Sequence, residues 1–179
     1  MKNIKRYIVL AGLVATAGGA CAAEEAKVNL QLTMLTKVNP NALALWDATN
    51  KAQDDNGNID PKKLNAASWA KLLDMGKAIE EGGKALATSN GVIAAPPGAK
   101  LQDEANPGAS KAPDVQRFLN AKPAEFKKHA ADLQKTGAGL VEAATKHQAK
   151  KLNDLANSLD EVCESCHTVF WYPQQGAAK

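Results

Sequence analysis

The sequence predicts an all-α fold, an antiparallel four-helix bundle with a long connection between its second and third helices. Three observations lead there. Ala, Leu, Lys and Glu abound while aromatic residues make up only 4% of the chain, a balance that favours helix over strand. Four segments carry an apolar repeat of 3.6 residues, and no strand pattern or internal repeat accompanies them. Four amphipathic helices of similar length in one domain most simply pack as a bundle.

The first segment covers about residues 25–52, with Leu30, Met34, Val38, Leu45 and Trp46 on one side. Asn39-Pro40 interrupts it: Asn39 is able to cap and Pro40 suits a first turn, so two helices or one kinked helix are both open. The second covers 66–87, with Trp69, Leu72, Leu73, Gly76, Ile79 and Leu86 as its stripe. Gly76, Gly82 and Gly83 lower its helix propensity; they either make room for a bound group or mark a fraying end. The third starts at Pro123, a good first-turn residue, and reaches about 146 through Phe126, Ala130, Leu133, Gly137, Leu140, Val141 and Ala144. The fourth covers about 149–169, with Leu152, Leu155, Leu159, Val162 and Cys166. Residues 89–120, rich in Ala, Pro and Gly, read as a surface connection with one helical turn near 114–119. Asp54, Asn56, Asn58 and Asp60 resemble a calcium loop, but Ile59 and Asn65 stand where an EF-hand needs Gly and Glu. A solvated turn is expected there instead.

Residues 1–22 read as a signal peptide: a basic start, a short apolar run and the small residues Ala20 and Ala22 around Cys21. Acylation of Cys21 is the rival reading, disfavoured by Gly18 three residues before it. Cutting 22 residues from 179 leaves 157 for the domain 23–179, enough to bury a core without disulfides. Taking Lys2, Lys5 and Arg6 from the 22 basic residues leaves 19, equal to the 19 acidic ones. That balance argues against a nucleic-acid partner, and against membrane insertion after processing. The expected location is the periplasm.

Cys163-Glu-Ser-Cys166-His167 has the spacing of a c-type haem attachment site. Residues three apart share a helix face, so both sulfurs meet one haem edge, and the next residue reaches the iron. A thioredoxin-like pair prefers a βαβ setting, and a zinc site needs a second ligand pair that this chain lacks. The expected cofactor is one covalently bound haem c, held by Cys163 and Cys166 with His167 on the iron. Twelve residues follow His167 and none is Met, so a sixth ligand comes from upstream or is absent. In an up-and-down bundle the end of the last helix lies beside the starts of the first and third. Met34 is the expected ligand; His129, read as solvent-facing beside Lys127 and Lys128, and an open position are the alternatives. His147 reads as surface. A reversed third helix would bring Trp46 to the haem instead. Trp46, Trp69, Trp171 and Tyr172 read as core or haem-edge packing.

With its attachment motif near the C-terminus and Phe170 three residues after His167, the chain resembles the class II cytochromes c, the cytochrome c-prime family. Met34, Val38-x-Pro40, Trp46, Trp69 and Phe170-Trp-Tyr-Pro173 are similar to a low-spin branch of that family. The resemblance implies a four-helix bundle, a Met ligand from the first helix and a possible homodimer through the first two helices. Two positions depart from the family pattern: Trp171 stands where a basic residue is common, and Leu30 where an Arg often sits. The expected function is one-electron transfer between periplasmic redox partners, not enzymatic catalysis. A five-coordinate haem protein binding NO or CO is the alternative.

Overall fold

The computed structural model of the chain describes residues 27–173, so the expected leader over 1–22 lies outside it. The described residues form an all-α protein of several packed helices: α1 (Leu30–Thr33), a π-helical turn (Met34–Val38), α2 (Asn39–Ala52), α3 (Ala66–Thr88), α4 (Ala112–Ala121), α5 (Pro123–Thr145) and α6 (Ala149–Phe170). No helix among them is long and apolar enough to cross a membrane.

Helical structure begins later than the apolar period suggests. Asn29 caps α1, its side chain accepting from the Leu32 N–H at 3.0 Å. Just before it, β1 (Val28–Asn29) pairs in parallel with β2 (Val92–Ile93), Val28 opposite Val92. Two residues are too few for a strand period to be legible.

From Leu30 to Ala52 the chain is one continuous helical run, with Pro40 in its interior. Proline has no N–H, and its ring would strike the carbonyl four residues back in a regular α-helix. The helix widens instead, and the Asn39 N–H bonds to the Met34 carbonyl five residues earlier. Asn39 therefore continues the helix and does not cap it.

α3 and α5 run antiparallel with their backbones in close approach. A Cβ on Gly76 would lie 3.0 Å from the Val141 nitrogen, one on Gly83 would overlap the Gln134 backbone, and one on Gly137 would overlap the Glu80 backbone. These glycines are buried mid-helix. They neither fray an end nor open space for a bound group; they let two helices touch. Gly82 does the same against Val38, whose methyl would be 2.7 Å from an added Cβ.

Two apolar clusters result. One fills the middle of the helix assembly, around Leu45, Leu72, Ile79, Leu140, Leu152 and Leu159. The other sits at the end where α6 finishes, around Leu86, Phe126, Ala130 and Phe170. The connection between α3 and α5 belongs to the second cluster and is more than a surface strap. It contributes Ala94, and the ten-residue α4 buries Val115 and Leu119. Gln116 ties it down, accepting from the Ala94 N–H at 2.9 Å and donating to the Val92 carbonyl at 3.2 Å. The segment after α2 is the expected solvated turn. Asp54 accepts from the Asn56 and Asn58 N–H groups, and Gly57 takes a φ of +77°.

The α3–α5 contact predicts opposite outcomes for neighbouring glycines. Ala is favoured over Gly in a helix by about 1 kcal/mol, but overpacking a close contact costs about 1–3 kcal/mol or more. Gly137→Ala should lower the midpoint of denaturant unfolding because a backbone must move. Gly139→Ala meets only the Leu155 side-chain tip, at 3.0 Å, and should leave the midpoint unchanged or raise it.

A second prediction concerns the α5–α6 corner, where Glu142 accepts from Lys146 at 2.8 Å and Lys151 at 2.6 Å. These bonds lower its pKa from 4.5 to about 2. Since the folded value is the lower one, the stabilisation is complete above the unfolded value. It disappears as pH falls from about 4.5 towards 2. Glu142→Gln should flatten that part of the acid-unfolding profile, and added salt should shrink the difference because the pair is solvent-exposed.

Candidate haem site

Cys163, Cys166 and His167 lie in the last turns of α6, and all three are half-buried. The His167 carbonyl accepts from the Trp171 and Tyr172 N–H groups at 2.8 and 2.9 Å, which turns the chain back over the imidazole. Trp171 meets the His167 ring edge-on with centroids 5.0 Å apart, and Tyr172 does so at 5.9 Å. Phe170 points the other way, into the core, against Phe126 at 5.5 Å.

Both cysteines are free thiols. Burial, reinforced by the Asp160 charge, pushes Cys163 up to about 11; burial, reinforced by Cys163 and Glu125, pushes Cys166 up to about 12. Such thiols are protonated at neutral pH, unlike the reactive thiolate of a redox Cys-x-x-Cys pair. No group of three or more His, Cys, Asp and Glu among the described residues is arranged to hold a metal ion unaided. Burial also lowers the pKa of His167, against the raising effect of Glu164 and Asp160. A neutral imidazole is the form that ligates a metal.

Met34 reaches this end of the molecule from the first helical run. It lines two cavities, and Asn39, Cys166 and His167 line both as well. The walls are mainly apolar: Leu30, Ala94, Leu101 and Val115 on the first, Val38, Leu86, Phe126 and Leu133 on the second. Met34 also packs against both apolar clusters, so it stands where the central core meets the site.

The other candidates separate clearly. His129 is half-buried on the wall of the second cavity, with Nδ1 3.2 Å from Ser165 Oγ, where the sequence suggested a solvent-facing position. Residue spacing put it on the edge of the stripe; the close packing of α5 on α6 covers that edge. His147 is exposed, but its ring stacks on Trp69 at 4.8 Å. Trp46 is held elsewhere, donating to the Ala156 carbonyl at 2.9 Å, and lines neither cavity.

The residues present suit a haem. Two neutral thiols and one imidazole share a helix end, a thioether faces the same space, and the surrounding walls are apolar. The Trp171 indole Nε1 beside His167 is buried without a hydrogen-bond partner among the described residues. Ala94, Leu101 and Val115 were missing from the sequence-based site. The spacing of Val115, Phe118 and Leu119 after Pro113 was the available signal for a buried α4. For Leu101, in a Pro- and Gly-rich stretch, no pattern exists.

Comparison with protein-family models, with curated proteins and with solved structures gives no match to this chain. The residues of the site and their placement carry its functional interpretation.

Proposed function

We propose that this chain is an exported monohaem c-type cytochrome that passes single electrons between periplasmic redox partners. We read its helices as an antiparallel four-helix bundle of the class II, cytochrome c-prime kind, made of the Leu30–Ala52 run with α3, α5 and α6. The observation that carries the reading is that Met34, a soft thioether donor, borders the same two cavities as Cys166 and His167.

In this reading Cys163 and Cys166 would anchor the haem, and His167 and Met34 would ligate its iron. The haem supplies a reversible one-electron iron couple. The chain's own contribution is to hold the two ligands, to keep His167 neutral and to exclude water with Leu30, Val115, Phe126 and Leu133. A thioether ligand and an apolar surrounding both raise a haem's reduction potential. With His167 and Met34 both holding the group, the chain would leave no open position for a substrate, which favours a carrier over an enzyme.

Met34→Ala and His129→Ala test the assignment when made side by side. The unaltered ferrous protein should be low-spin and slow to take CO. Met34→Ala should turn it high-spin and open to CO, while His129→Ala should leave the absorption spectrum as it was. An unaltered ferrous protein that is already high-spin and binds CO at once would overturn the Met34 assignment and favour the binding of NO or CO as the function.

A further inference from the structure

Asp160, Cys163, Glu164 and His167 fall at positions i, i+3, i+4 and i+7 of α6 and so share one helix face. The carboxylates are therefore neighbours of the anchoring thiol and the imidazole. Glu164 is half-buried, while Asp160 and Glu161 are exposed. After α6 ends, Tyr172 folds back and its Oη donates to Glu164 Oε2 at 2.5 Å, a short bond of the charge-assisted kind. No Lys, Arg or His pairs with Glu164 or Asp160 among the described residues. An uncompensated carboxylate is thus fixed beside His167 by a phenol that itself touches the His167 ring.

We propose that Glu164, pinned by Tyr172, is a positioning residue of the haem site that sets the iron's charge balance and holds its reduction potential down. The proposal rests on the haem reading above. Ferric haem carries one more positive charge than ferrous haem, so a nearby anion favours the ferric form. The effect is large where water is partly excluded and small where a charge is solvated. Both Glu164 and Asp160 act on His167 as negative charges. Glu164 would counter the rise in potential expected from Met34 and the apolar walls, giving the site an intermediate value. Glu161 supplies an internal control. It has the same charge but lines the α5–α6 groove with Asp132 and Lys135, on another side of the helix.

The test is a redox titration of the holoprotein, with haem content per chain measured by mass for every sample. Glu164→Gln should raise the midpoint potential. Tyr172→Phe should raise it less, because the released carboxylate swings into water and its charge is screened. Asp160→Asn, at a more solvated carboxylate, should raise it less than Glu164→Gln, and Tyr172→Phe carries the test if Glu164→Gln impairs folding. Glu161→Gln should leave the potential in place. Equal shifts from Glu164→Gln and Glu161→Gln, or a fall in potential from Glu164→Gln, would overturn the proposal while the haem reading stands. An unaltered protein with no covalent haem would remove both.

Discussion

Without side chains at Gly83 and Gly137, α3 and α5 close until the backbone of each lies against the other, and the register of the pair is fixed at that point. Gly76 faces Val141, Glu80 faces Gly137, and Gly83 faces Gln134. The same register carries Leu86 to the level of Phe126 and Ala130, which with Phe170 form the apolar floor under the site. A shift of one turn along this contact would put a bulky side chain where only hydrogen fits. The place where α6 can end, and hence the surroundings of His167, follows from a constraint between two other helices. Packing of this closeness explains why α3 tolerates three glycines whose intrinsic cost is about 1 kcal/mol each.

The first helical run solves a second problem. Pro40 cannot sit in a regular α-helix, yet the run must continue to bury Leu45 and bring Trp46 onto α6. The π-helical turn over Met34–Val38 absorbs the conflict, and Met34 opens it. A wide turn shifts the angular position of every residue before it, so Met34 does not sit where an unbroken helical period would put it. Wide turns of this type recur at functional sites because they re-aim a side chain without ending the helix. The segment in front is tied to the long connection, Gln31 donating to the Lys100 carbonyl at 2.6 Å, and the same connection is tied to the end of α6 by the Ser110 N–H bonded to the Trp171 carbonyl at 2.8 Å.

The helices were legible where the apolar period was long. The bounds read for the second, third and fourth segments differ from α3, α5 and α6 by a residue or so, because Trp69, Leu133 and Leu159 repeat at helical spacing over several turns. The first segment was legible only in part. Asn29 starts the helix by a side-chain cap, and the residues before it join a two-residue parallel pair that leaves no pattern in a sequence. The connection between α3 and α5 was the main miss. Pro- and Gly-rich composition marks a chain that does not form long helices, but it does not say whether that chain lies on water or on a core. Here Ala94, Leu101 and Val115 lie on the core. For the candidate site, the motif singled out Cys163, Cys166 and His167 and the bundle argument singled out Met34, and the structure brings Met34, Cys166 and His167 to common cavities. His129 was misjudged because adjacent lysines report the exposure of their own side chains, and not that of a neighbour one residue further round the helix.

The covalent attachment of haem is the claim on which the functional account stands, and mass spectrometry of the protein from its native host addresses it directly. Under denaturing conditions the intact chain should weigh one haem more than its polypeptide. Digestion should place that mass on the peptide holding Cys163 and Cys166, and the haem colour should stay with the protein through acid-acetone extraction. A polypeptide of unmodified mass, or haem that leaves with the solvent, would contradict the account.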